Sequence, residues 1–231
     1  MTAIPIIALD VQDIGRALAI VRDLGDSCGF YKIGSELFTA AGPAAAAAVR
    51  AEGKRVFLDL KFHDIPNTVR AGCAAARQAG ASLVTVHAWG GERMMAAAVE
   101  GAGDDCGVLA VTILTSLDGD ELARATGRLD VSVPEEVSRL AGIARRAGVH
   151  GVVCSGHEAS RLRAEHGPGL ALLVPGIRLA AGAAHDQSRI MTPRAAAEAG
   201  ATYLVLGRAV TEAAEPRRAM LEVLSSLAGT P

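Results

Sequence analysis

Residues 56–68 read VFLDLKFHDIPNT, and no other stretch constrains the fold as tightly. Val56, Phe57, Leu58 and Leu60 are residues that fill a buried sheet. The same run places Asp59, Lys61 and Asp64 within six positions, with His63 and Asn67 beside them. Side chains alternate across a strand, so the spacing puts Asp59 and Lys61 on one face and Leu58 and Leu60 on the other. A buried charge is costly unless it is paired, so this strand must meet partners for several charges. Either it ends in a structural ion pair, or it opens into a site where clustered charge does chemistry. The second reading requires other strands to bring polar groups to the same place.

Such strands recur along the chain. IPIIALD ends at Asp10, and GFYKIG carries Lys32 and ends at Gly34. After RVFLDLK come LVTVHA with His87, GVLAVTILTS, GVVCSG, ALLVPGI and YLVLGRAV. Helical patterns separate them: 13–24, 35–51 with a break at Gly42-Pro43, 67–79, 92–102, 134–147, 157–165, 192–199 and 216–227. Asp13 is placed to cap the first, and Pro134 with Gly148 brackets another. Strands alternating with helices imply a parallel sheet, because parallel strands need crossover connections. Eight such units in 231 residues fit a closed (β/α)₈ TIM barrel. An open doubly wound sheet is the alternative, but no GxGxxG follows the first strand. No linker or composition shift marks a second domain, so residues 1–231 are expected to form one catalytic domain.

Aromatic residues make up only 3% of the chain and alanine is abundant, which predicts an aliphatic core with closely approaching helices. The net charge is −2 and no basic run exceeds two residues, which argues against nucleic acid or an anionic membrane as partner. Cys28, Cys73, Cys106 and Cys154 are scattered without CxxC or CxxH spacing and read as reduced thiols. The N-terminal segment lacks a basic region before its apolar run, and no apolar run approaches a membrane span. A soluble, cytoplasmic protein is the expectation.

In a (β/α)₈ barrel the loops after the strands build the active site, and those after strands seven and eight often hold phosphate. The strand ends here present Asp10, Lys32, Asp59 with Lys61 and then Asp64, His87, Thr112 with Thr115, Ser155, Pro175-Gly176-Ile177-Arg178, and Gly207-Arg208. Gly207 lets backbone N–H groups approach an anion and Arg208 supplies a fork of donors. Gln187 lies late in a Gly/Ala-rich segment, expected to be a mobile loop, and is placed to close over the same anion. Alone, Arg178 or Arg208 reads as a solvated charge, Asp10 as a helix cap and His87 as a rim histidine; their joint placement carries the inference. His63, His87 and three aspartates are ligand types for a divalent ion, but two lysines in the cluster already neutralise carboxylates and would repel a dication. No metal is expected.

The run DLKFHDIPNT resembles the orotidine 5′-phosphate decarboxylase family. So do KIG at Lys32, LD at Asp10, VTILTS at 111–116, PGIR at 175–178, DQSRIMTP at 186–193 and LGRAV at 206–210, in order along the chain. The resemblance implies a homodimeric (β/α)₈ barrel that decarboxylates orotidine monophosphate to uridine monophosphate without metal or organic cofactor. It implies Lys61 as proton donor to C6, Asp59 beside the departing carboxylate, and Lys32 completing the charged array and contacting ribose. Asp10 would bind a ribose hydroxyl and Thr115 would face the pyrimidine. Arg178, Gln187, Gly207 and Arg208 would serve the phosphate end, while Asp64 and Thr68 would reach into the partner's site. Two other classes share parts of this pattern. Metal-assisted sugar-phosphate enzymes on related barrels share a DxK third strand but lack a lysine on the second. A non-catalytic nucleotide binder would gain nothing from costly clustered charge.

Overall fold

The computed structural model describes residues 3–179 and 191–229. Eight strands run β1 (Ile4–Ala8), β2 (Phe30–Gly34), β3 (Arg55–Phe62), β4 (Ala81–His87), β5 (Gly107–Val111), β6 (Gly151–Val153), β7 (Ala171–Val174) and β8 (Tyr203–Leu206). Every neighbouring pair is parallel, and β8 pairs back onto β1, so the sheet closes and the open doubly wound alternative is excluded. Helices alternate with the strands: α1 (Ile14–Leu24), α2 (Ser35–Ala41), α3 (Pro43–Ala51), α4 (Pro66–Gln78), α5 (Gly91–Ala102), α6 (Gly119–Thr126), α7 (Val133–Arg146), α8 (Gly156–His166), α9 (Pro193–Glu198), α10 (Arg208–Thr211) and α11 (Pro216–Ala228).

Local chemistry accounts for the boundaries. The Asp13 side chain accepts from the Arg16 N–H and starts α1. Gly42, with φ 58°, ends α2, and Pro43 begins α3, which divides the expected 35–51 helix in two. The long 116–133 connection contains α6, a helix absent from the pattern reading. Asp118 and Glu121 close a capping box around its start, and Arg128 anchors the connection to the buried Glu136 at 3.3 Å. α5 meets α4 so closely that a Cβ at Gly101 would stand 2.1 Å from the Arg70 carbonyl oxygen. Here glycine, more than alanine, sets the approach.

Alternation along the strands builds two cores. Ile7, Tyr31, Ile33, Leu58, Val84 and Val86 face the helices in a layer rich in alanine, as composition predicts. Ile6, Phe30, Phe57, Leu83, Leu109, Leu173, Tyr203 and Val205 fill the barrel itself. That inner core is not purely aliphatic. Phe30 and Tyr203 meet edge-on at 6.4 Å, Arg55 lies 4.2 Å over the Phe30 ring, and His150 Nε2 is 3.0 Å from the Tyr203 hydroxyl. Phe30 and Tyr203 supply this bulk at the ends where their strands begin. Above this plug, at the strands' C-terminal ends, the inward positions turn polar.

Candidate active site

A cavity of about 510 Å³ opens there. Its floor is the top of the inner core: Ala8, Phe57, Val153, Leu173 and Val205. Its walls carry Asp10, Lys32, Asp59, Lys61, Thr115, Arg178, Gly207 and Arg208. Eight of the residues singled out in the sequence are therefore brought together.

Four of them form a chain of alternating sign. The Lys32 ammonium donates to Asp10 Oδ1 at 2.9 Å and lies 3.6 Å from Asp59 Oδ2. The Lys61 ammonium donates to the same Asp59 oxygen at 2.9 Å. Lys32 projects from the fully buried β2, and Gly34, two residues on, is what makes room for it. A Cβ at Gly34 would fall 3.1 Å from the Lys32 ammonium and 3.2 Å from Asp10 Oδ1. Burial pushes the Asp59 carboxyl up, but the Lys32 and Lys61 ammonium groups outweigh it, helped by hydrogen bonds from Lys61 and Thr85, and hold it below the ordinary aspartate value. The structure thus preserves the anion in a mostly buried place.

β3 reaches this arrangement by leaving regular geometry. Its pairing with β4 slips between Leu58↔Val84 and Phe62↔Val86. Lys61 has φ 50°, the only non-glycine residue with positive φ among the described residues. A lysine in that region costs about 1–3 kcal/mol. The ladder is therefore interrupted by a bulge, yet the expected facing holds: Asp59 and Lys61 line the cavity while Leu58 and Leu60 pack on the helix side. Thr85, which no strand-end motif singles out, stands opposite it and bonds to both residues. A polar residue between Leu83 and His87 on the inward phase of a buried strand was the available signal.

Other positions differ from expectation. Thr112 lies beyond the end of β5, which is shorter than the GVLAVTILTS run. Its hydroxyl is spent on the Val153 carbonyl at 2.8 Å, and it does not line the cavity. Ser155 caps α8 with Glu158 and is likewise outside the lining. Arg178, which alone reads as a solvated charge, is buried at 8% exposure. Arg208 is exposed at the first turn of α10. Asp64 and Thr68 are exposed and do not line the cavity; Asp64 Oδ1 accepts its neighbour Ile65's N–H. Gln187 lies outside the described residues, as does the expected mobile loop at 179–190 beyond Leu179.

The rings of His63 and His87 are 5.6 Å apart at the β3–β4 rim. Burial holds His87 below the ordinary imidazole value, with His63 and Lys61 adding to the effect and Asp59 opposing it. Among the described residues no three His, Cys, Asp or Glu side chains are grouped to hold a metal ion, and no helix is long and apolar enough to cross a membrane.

Comparison with known proteins gives a consistent result. The model of the Orotidine 5′-phosphate decarboxylase / HUMPS family matches residues 4–223. An orotidine 5′-phosphate decarboxylase of Rhodopseudomonas palustris (strain BisA53) is 48% identical over 97% of this chain and 94% of its own. One from Sodalis glossinidius is 47% identical over 96% and 89%. Among solved structures, the orotidine 5′-phosphate decarboxylase from Lactobacillus acidophilus superposes with a TM-score of 0.86 at 35% identity, covering 98% of this chain and 99% of that one. The enzyme from Pyrococcus horikoshii OT3 gives 0.79 at 25% identity, covering 98% and 100%. A closed parallel barrel, a half-buried lysine–aspartate array at its mouth and likeness along nearly the whole chain converge on one assignment: the chain belongs to the orotidine 5′-phosphate decarboxylase / HUMPS family.

Proposed function

We propose that this chain, acting as a single catalytic domain, decarboxylates orotidine 5′-monophosphate to uridine 5′-monophosphate in pyrimidine biosynthesis, with Lys61 as proton donor. The observation that carries the reading is the alternating Asp10–Lys32–Asp59–Lys61 chain over an apolar floor. Loss of CO₂ leaves an electron pair on a ring carbon with no adjacent π-acceptor. An ammonium aimed at that carbon stabilises the developing charge, most strongly where water is excluded. The same ammonium then delivers its proton to C6. Asp59, kept ionised by its two lysines, repels the substrate carboxylate until CO₂ departs. Lys32 and Asp10 serve the ribose, and Thr115 faces the pyrimidine.

The phosphate is assigned to Arg178, Gly207 and Arg208, which follow β7 and β8 and line the same cavity. Binding energy gathered there, far from the reacting carbon, can be used at the transition state. The test is a spectrophotometric assay with orotidine 5′-monophosphate in the presence of a chelator. Turnover is expected to persist. Turnover only on addition of a divalent metal would move the chain to the metal-assisted barrels.

The active unit is proposed to be a homodimer with shared sites. Asp64 and Thr68 face solvent beyond the end of β3, beside the exposed Ile65, and so are free to enter a neighbour's cavity. Mixtures of Lys61→Ala and Asp64→Ala proteins should then regain part of the lost activity, because one hybrid site carries both native residues. Mixing without recovery, despite demonstrated subunit exchange, would count against sharing. Cytoplasmic residence is proposed with the pathway.

A further inference from the structure

We propose that Thr85 is a positioning residue for this reaction: its hydroxyl pins the bulge of β3 and thereby aims the Asp59–Lys61 pair. The proposal rests on the roles of Asp59 and Lys61 given above. Thr85 is fully buried on β4 and does not line the cavity. It therefore acts through its neighbours and touches no substrate.

The register explains why a hydroxyl is needed. Leu58 pairs with Val84 and Phe62 with Val86, so Asp59, Leu60 and Lys61 together stand opposite Thr85 alone. Such a bulge disrupts the ladder and leaves backbone groups without their regular partners. Thr85 replaces what is lost. Its Oγ1 accepts the Lys61 N–H at 2.9 Å, and its O–H donates to Asp59 Oδ1 at 2.9 Å. A hydroxyl is donor and acceptor at once, and both capacities are used here. The other Asp59 oxygen receives the Lys61 ammonium. The result is a ring from the Lys61 backbone through Thr85 and Asp59 back to the Lys61 side chain.

That ring ties the left-handed φ of Lys61 to the direction of its ammonium. A valine of the same shape would leave the Lys61 N–H and one Asp59 oxygen without these partners, while barely changing the packing. A serine would keep both bonds. The groups facing Asp59 from the surrounding strands, Lys32 from β2 and Lys61 from β3, are unchanged in either variant, as is Asp10 beyond β1.

The experiment measures kcat and KM on orotidine 5′-monophosphate, affinity for uridine 5′-monophosphate, and the crystal structure, for wild type, Thr85→Val and Thr85→Ser. Thr85→Val should lower kcat about ten- to a hundredfold, the range for losing a hydrogen bond to a charged group. KM and product affinity should move less than about threefold, because the phosphate and ribose contacts are untouched. Thr85→Ser should keep kcat within about threefold, since it retains the donor and the acceptor. In the Thr85→Val crystal the Lys61 φ should leave the left-handed region, or its ammonium should move away from Asp59. Should the valine variant fail to fold, Thr85→Ala deletes the same hydroxyl and is read identically. Unchanged kcat in the hydroxyl-less variant, a serine variant as damaged as that one, or equal losses of kcat and product affinity would each overturn the proposal. A wild type inactive on orotidine 5′-monophosphate would instead overturn the function assignment, and the crystal geometry would still report on the ring.

Discussion

On the β3 side of the cavity the ions are satisfied by one another: Lys32 and Asp59 have side chains 11% and 13% exposed, and each meets a partner of opposite sign. On the β8 side Arg208 stands exposed at the start of a four-residue helix, while Arg178, which lines the same cavity, is buried. The first wall is assembled before substrate arrives. A group that must stabilise charge for the lifetime of a transition state gains from being held in place in advance. The second wall presents a cation to solvent, as suits capture of a doubly charged phosphate. One cavity thus separates a preorganised end from a receptive end.

The contrast can be broken from the chemical side first. Lys61→Ala should lower kcat about a thousandfold or more, since it removes both charge stabilisation and the proton source. The fold should survive, because Lys32 still faces Asp59; steady-state kinetics with a circular dichroism spectrum checks both. From the other side, Arg208→Ala should weaken nucleotide binding by about 1.5–3 kcal/mol, the range for hydrogen bonds to a charged group. Titration calorimetry should show the phosphate-free nucleoside unaffected; equal losses for both ligands would erase the distinction between the two walls.

A smaller effect follows from pH. Asp59 is held below its ordinary value of 3.8. A carboxyl depressed in the folded state contributes stability that is complete above its unfolded pKa and is lost as pH falls through the folded value. Denaturation midpoints of wild type should therefore fall more steeply below pH 4 than those of Asp59→Asn. The smallest expected effect is that of Gly34→Ala. It should reduce kcat/KM several-fold, because Lys32 and Asp10 must give by a few tenths of an ångström. A value equal to wild type would mean the preorganised wall is softer than its packing suggests.

Much of this was written in the order of residues. Alternating apolar runs and helices announced a barrel, and the charges at Lys32, Asp59 and Lys61 announced its mouth, because strand ends converge in that fold. What could not be read was set by three-dimensional register. Thr85 looks like any β-branched strand residue until the slip of β3 places it opposite three residues at once. Nothing in DLKF signals that Lys61 takes a left-handed backbone. Thr112 and Ser155 sit at strand ends as expected, yet their hydroxyls go to Val153 and to a helix cap, since local partners were nearer than the cavity.

The plug beneath the cavity has a consequence for how the molecule can change over time. Phe30, Tyr203, Arg55 and His150 occupy the opposite end of the barrel from the reacting groups. Side-chain exchange in that lower storey, such as Phe30→Leu, should therefore move the melting temperature while leaving the charged array and kcat in place. Heat tolerance and chemistry then draw on different positions of one barrel.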